Sequence, residues 1–454
     1  MTLPATSLSA VIDRRAPGAM QLAIVVGVFV LSMLDGVDFQ LLSLVAPVVL
    51  KEWGVTGAVF GPALAASLVG MALGAVAGGW LADRIGRRVT ILGSTLVFAV
   101  ATLACAFARD VPQLAALRFV AGTGFGAAGP VALALAIEWL APRHRPWVMG
   151  PLAVSVPIGG VAGSALVLWL LPALGWRGMF MTCGLASLAY CALMAAVLRE
   201  SPAWLLARGR RAAAERVLAP LLRGEALDPR LPEADRAGGG IAALFRGRLG
   251  RFTFGCCLAQ FFVCLIAYAV LSWTPVLLTD AGAPFAFGAR AILAFNLSST
   301  LCSLVTGMLV PRLGGAAVPT LAGVAIALVM AMLWRTFTLG DVAGGSADAV
   351  VVLTGLAGAT MGVLITSIFA ITAIGYPAGS RGAGIGFTQM VGRAGGIVMV
   401  VGGGPLLDRA GHAPAPFFAL LAACALPMIA GTLVMRSLAL GERRAGAAVL
   451  VVGH

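Results

Sequence analysis

The chain has 454 residues, of which 60% are hydrophobic and 11% charged, with 59 glycines and a formal net charge of +13. A soluble domain is about half apolar and a quarter charged. A soluble chain this apolar would expose aggregating patches, so lipid is the solvent that suits it. The positive charge is not a nucleic-acid footprint: the basic residues, all Arg except Lys51, sit in short stretches between apolar runs instead of clustering with aromatics on one face.

A membrane span needs about 20 apolar residues. The first 20 residues, with Asp13, Arg14 and Arg15, form a polar tail without the pattern of a signal peptide. Apolar runs then predict helices over 21–49, 61–82, 89–109, 112–140, 147–173 and 177–198. Residues 199–252 are the long polar stretch, carrying Arg208, Arg210, Arg211, Arg216, Arg246, Arg248 and Arg251, and read as a cytoplasmic linker with short surface helices. Six more spans follow at 253–279, 287–310, 316–338, 347–375, 382–407 and 414–438, with a tail over 441–454. The organisation is therefore a half over 21–198, a linker over 199–252 and a second half over 253–440. If the N-terminus is cytoplasmic, the inner loops carry Arg84, Arg87, Arg88, Arg143, Arg145, Arg312 and Arg381, against a sparse outer set led by Lys51, Arg109 and Arg177. That asymmetry places both termini in the cytoplasm. The expected fold is all-α, twelve spans in two six-helix halves.

A weak internal repeat supports two halves. Gly79-Trp80-Leu81-Ala82-Asp83-Arg84-Ile85-Gly86 follows the second span, and Gly307-Met308-Leu309-Val310-Pro311-Arg312-Leu313-Gly314 follows the eighth. Parallel repeats of this kind build carriers with a solute site near the midplane. The eight cysteines lie singly in apolar runs apart from Cys256 and Cys257, and His144, His412 and His454 lie in loops or the tail. This predicts neither a disulfide framework nor a metal site, and leaves an intramembrane enzyme without a nucleophile–base or metal constellation. Gly124-Phe125-Gly126-Ala127-Ala128-Gly129 fits G-x-G-x-x-G literally, but no strand precedes it, so its glycines are read as helix-packing residues.

The charges inside the spans carry the chemistry. Asp35 and Asp38 are three residues apart, which puts both carboxylates on one face of the first span. A charge at the bilayer centre costs about 2.5–3.5 kcal/mol or more. Two together repel, so the pair is expected to hold a proton, as a coupling site requires. Arg118 lies about 10 Å into the fourth span at 1.5 Å per residue. It needs an anion, either Asp38 or a substrate carboxylate. Arg393, mid-span in the eleventh helix, either holds substrate or locks helices together. Glu138 is expected to pair structurally with the loop carrying Arg143 and Arg145. Gln260, Asn296 and Gln389 are amides inside spans, and Phe39, Trp273, Phe295 and Tyr376 are aromatics available to a ring.

Gly79-x-Leu81-Ala82-Asp83-Arg84-x-Gly86-Arg87-Arg88 resembles the loop signature between the second and third helices of the major facilitator superfamily. Asp35-Gly36-Val37-Asp38 resembles the D-G-x-D signature of its aromatic acid:proton symporters. Arg118 to Gly126, Ser272-Trp273-Thr274-Pro275 and Gly392-Arg393-Ala394-Gly395 are similar to segments of the same family. The resemblance implies a transporter, not an enzyme, in a bacterial inner membrane. It would import a small aromatic carboxylic acid with protons by alternating access, working as a monomer with no cofactor beyond the proton gradient. It further implies proton coupling at Asp35 and Asp38 and substrate contacts from Arg118, Phe39, Trp273, Arg393, Asn296 and Tyr376. Gating would fall to Gly79, Asp83, Arg84, Gly86 and Arg87. A drug or metabolite exporter of the superfamily remains an alternative. So does a sugar or organic-acid porter, to which Glu200-Ser201-Pro202 with Trp204-Leu205 is similar.

Overall fold

The computed structural model describes residues 18–141, 143–222, 244–313, 317–339, 346–376, 381–411 and 413–451. Among them no strand occurs. Lipid offers no partner to a free backbone amide, so an apolar run satisfies its backbone within a helix.

The helices are α1 (Ala19–Trp53), α2 (Gly57–Ile85), α3 (Arg87–Cys105), α4 (Val111–Glu138) and α5 (Arg145–Val197), then α6 (Pro202–Ala207) and α7 (Arg211–Leu222). After these come α8 (Gly247–Asp280), α9 (Phe285–Leu313), α10 (Val318–Leu339), α11 (Ala347–Gly375), α12 (Arg381–Arg409) and α13 (Pro414–Val451). Among the described residues, eleven are long and apolar enough to cross a membrane. The expected spans at 147–173 and 177–198 both fall in α5, whose 53 residues include Gly175 in a non-helical conformation (φ 64°, ψ 176°). A helix of that length would run about 80 Å, far more than a bilayer needs, and Gly175 interrupts it where the sequence places a loop. The short helices α6 and α7 occupy the polar stretch, while 223–243 and the ends of both tails lie outside the described residues.

Local chemistry sets the boundaries. Gly86, at φ 103°, turns the chain between α2 and α3 in a conformation that favours glycine. Asp110 caps α4 by accepting from Gln113 N at 2.8 Å, with Pro112 in the first turn. Ser201 caps α6 by accepting from Trp204 N at 3.1 Å.

The chain divides into two compact units. The first takes in 1–39, 66–159 and 173–235, and the second 40–65, 160–172 and 236–454. In the first unit α2 and α4 meet through glycines. A Cβ on Gly122 would overlap the Ser67 carbonyl, one on Gly126 that of Met71, and one on Gly70 that of Phe119. Gly124 instead faces α3, where a Cβ would sit 2.6 Å from Ser94 O and 2.7 Å from Phe98 N. The G-x-G-x-x-G stretch is therefore a packing seam that lets backbones approach, as small residues do between helices in lipid. In the second unit Gly358 and Gly362 of α11 lie in the same way against the carbonyls of Phe295 and Ser299 on α9. Also in the second unit, Gly404 of α12 lies against Gly57 at the start of α2, and Asp408 accepts from Ala58 N at 3.3 Å. Large apolar side chains face outward, Trp169 at 84% and Val76 at 75% exposure. Thr102, Gln260 and Thr354 are among the buried polar groups.

Candidate functional site

The first unit holds a charge pair sealed from solvent. Asp38 of α1 is 4% exposed and Arg118 of α4 is 1% exposed. Arg118 Nη1 donates to Asp38 Oδ2 at 2.6 Å and Nη2 reaches the Asp38 carbonyl at 3.4 Å. Thr102 of α3 donates from its hydroxyl to Asp38 Oδ1 at 3.2 Å. Small residues make the approach possible. Gly122 and Gly126 seat α4 on α2, and Gly159 brings α5 onto α1, where a Cβ would overlap the Met33 carbonyl and stand 3.0 Å from Gly36 Cα. An unpaired charge would be costly in lipid, and here the carboxylate has both a counter-ion and a hydroxyl. Arg118 Nε is buried without a hydrogen-bond partner.

Asp35 and Asp38 are thus differently placed: Asp38 holds the contact to Arg118, one of the two anions expected for it. Asp35, one turn earlier and half-buried, makes its own interactions and acts on Arg118 electrostatically. Phe39 is half-buried beside them.

The second unit contains the remaining expected ligand contacts, and it separates them. Trp273 of α8 is fully buried, 3.2 Å from where a Cβ on Gly57 would lie and packed beside Gly403 of α12. Tyr376 donates to Thr253 Oγ1 at 3.1 Å and packs edge-on against Phe252. Thr253 and Trp273 are 20 residues apart on α8, or about 30 Å at 1.5 Å per residue. One monocyclic acid therefore does not touch both aromatics, and each packs at its own end of α8. Asn296 spends its amide on its own helix, donating to Ile292 O at 3.0 Å, and packs beside Gly160. Arg393 lies about 18 Å along α12 from Arg381. It is half-buried, and among the described residues it has no hydrogen-bonding or ion-pair partner; Cys264 of α8 is its electrostatic neighbour. Gln260 lines the same stretch of α8, packed beside Gly392.

The end of α2 forms a third cluster, within the first unit. Glu200 accepts from Arg87 N at 2.9 Å and Arg88 N at 3.1 Å, a carboxylate on the N-terminus of α3. Arg87 forms an ion pair with Glu138, which also accepts from the Ser201 hydroxyl at 2.6 Å. Trp204 Nε1 and Arg208 Nη2 both donate to Asp83 O, at 3.0 and 2.7 Å, and Arg84 stacks on Trp80 at 3.9 Å. Glu138 thus has partners on α3 and α6 that sequence reading did not anticipate, and Glu200 went unassigned. Gly86 makes the turn, and a Cβ there would overlap Glu200. Gly79, named in the expected gating set, lies exposed within α2 with open space around it.

A bundle of long apolar helices with apolar faces outward and its buried charges neutralised within defines an integral membrane protein. The chain belongs to the Major Facilitator Superfamily, whose sequence profile matches residues 28–400, and is a multi-pass protein of the inner membrane. It is 30% identical over 404 residues to a gallate transporter of Pseudomonas putida, covering 87% of this chain and 88% of that one. It is 28% identical to the 4-hydroxybenzoate transporter PcaK of the same species, over 92% and 93% of the two chains. A gentisate transporter of Corynebacterium glutamicum is 29% identical over 87% and 85%. Among solved structures, the xylose transporter XylE from E. coli matches with a TM-score of 0.70 at 16% identity, over 91% and 97% of the chains, which shows the fold alone.

Proposed function

We propose that the protein is a proton-coupled symporter that imports a small aromatic carboxylic acid of the hydroxybenzoate type by alternating access. Counting α5 as two spans gives twelve, with both termini and the linker in the cytoplasm. The observation that carries this reading is the sealed Asp38–Arg118–Thr102 cluster. A carboxylate buried in lipid against a permanent cation is a site whose charge state changes when a proton arrives. Protonation of Asp38 removes the anion that holds Arg118, so the charge balance of this cluster follows the proton. The contacts of Asp83, Arg84, Gly86 and Arg87 around the end of α2 suit a gating role, because they join one turn to α4 and α6.

The substrate class rests on two supports. The relatives named above transport gallate, 4-hydroxybenzoate and gentisate, all hydroxylated benzoates. Arg393 offers a cation at mid-depth that Asp38 does not occupy, and its planar fork fits a carboxylate bidentately. In this conformation Arg393 is thus the better carboxylate ligand, with Arg118 engaged by Asp38. Equilibrium binding to purified protein tests this. 4-Hydroxybenzoate is expected to bind at least about tenfold more tightly than its amide, and Arg393→Ala to remove that preference, since hydrogen bonds to charged groups are worth about 1.5–3 kcal/mol. Equal binding of acid and amide to the unaltered protein would overturn the carboxylate reading.

A further inference from the structure

Many of this protein's threonines bond to their own helices. Thr90 donates to Gly86 O at 2.8 Å, Thr123 to Phe119 O at 2.9 Å, Thr300 to Asn296 O at 2.8 Å and Thr388 to Gly384 O at 2.8 Å. That is the ordinary way for a buried hydroxyl to be satisfied on a helix. Thr102, fully buried on α3, departs from it. Its single hydroxyl hydrogen goes to Asp38 Oδ1, 64 residues away in sequence.

The two partners of Asp38 differ in what they can do. A guanidinium has five N–H donors and no acceptor, so Arg118 can only donate to Asp38, and its ion pair exists with the ionised carboxylate alone. A hydroxyl both donates and accepts, so Thr102 can donate to the carboxylate and accept from the carboxylic acid. We propose that Thr102 is the positioning residue of the coupling site, holding the Asp38 side chain through both protonation states while the ion pair to Arg118 exists in one. This rests on the reading of Asp38 as the proton acceptor. When a proton joins Asp38, the new O–H donates to Thr102 Oγ1. The threonine hydrogen then turns to the carbonyl four residues back, that of Phe98, as in Thr90, Thr123, Thr300 and Thr388. Loss of the proton reverses both bonds. The carboxyl group therefore stays aimed at one place while Arg118 is engaged and released. The other titratable or charged groups acting on this pair are Cys105 on α3, Cys183 on α5 and Asp35 on α1.

The test compares Thr102→Val, Thr102→Ser and Asp38→Asn in reconstituted vesicles with labelled 4-hydroxybenzoate. It reads accumulation driven by a pH gradient alongside counterflow exchange, which needs no gradient. Thr102→Val keeps the side-chain shape and removes the hydroxyl. It is expected to lower gradient-driven accumulation about tenfold, the worth of a hydrogen bond to a charged group, while counterflow persists. Thr102→Ser restores the hydroxyl and is expected to accumulate within about twofold of the unaltered protein. If Thr102→Val accumulates normally while Asp38→Asn does not, the role of Thr102 is overturned and that of Asp38 stands. Normal accumulation by Asp38→Asn overturns both. Loss of counterflow and accumulation together in both Thr102 variants assigns the residue to packing and overturns the proposal.

Discussion

Replacing Asp38 with Asn is expected to abolish accumulation of substrate against its gradient while leaving exchange of substrate across the membrane measurable. Asn matches Asp in size and retains a group that can meet the Thr102 hydroxyl, so the packing of α1, α3 and α4 survives. What it lacks is a charge that a proton can cancel. Arg118 would face a permanently neutral neighbour, the condition that protonation creates only transiently in the unaltered protein. The site would be fixed in one half of its cycle and uncoupled from the gradient. Counterflow and pH-driven uptake measured on one vesicle preparation separate the two properties. Asp35→Asn is expected to have a smaller effect, because Asp35 is half-buried and does not hold the 2.6 Å contact to Arg118.

Removing the cation is expected to damage the fold itself. Arg118→Ala leaves the Asp38 carboxylate buried with only the Thr102 hydroxyl, and stranding one member of a buried pair costs about 3–5 kcal/mol. That is a large part of the roughly 5–15 kcal/mol by which folded proteins are stable. The variant should therefore melt well below the unaltered protein in detergent. The double variant Asp38→Ala with Arg118→Ala removes both charges and should recover much of that loss, yet carry no gradient-driven uptake. If Arg118→Ala alone melts like the unaltered protein, the pair does not bear the energetic weight assigned to it. Arg118→Lys keeps the charge but loses the second reach to the Asp38 carbonyl, and should fall between the two.

Helix positions were legible in the sequence because each span is a run of about 20 apolar residues that lipid forces into a helix. The gap expected between 173 and 177 appears as a single residue, Gly175, in a helix otherwise continuous from Arg145 to Val197. Arg118 needed an anion, and Asp38 was one of two named candidates. Depth along a helix was harder to read. Trp273 and Tyr376 were both implied as substrate contacts by the resemblance to the symporters, but similarity carries no height in the membrane. Thr253 and the ring of Tyr376 meet at one end of α8 while Trp273 packs at the other. Thr102 gave no signal at all, since one threonine in an apolar helix looks like any other until its hydrogen-bond partner is known. Glu200 was visible only as part of Glu200-Ser201-Pro202, and its place on the N-terminus of α3 depends on a fold that brings residues 113 apart in sequence together.

The most direct test of the central claim is uptake of labelled 4-hydroxybenzoate into vesicles containing the purified protein, with the outside made acid. Aromatic acids also cross lipid unaided in their protonated form, so the quantity that matters is accumulation above that of protein-free vesicles. The expected result is a transient accumulation above equilibrium that a protonophore collapses and that a straight-chain acid does not inhibit. Uptake that is the same with and without the pH gradient would contradict proton coupling. Inhibition by the straight-chain acid as strong as by benzoate would contradict the aromatic assignment.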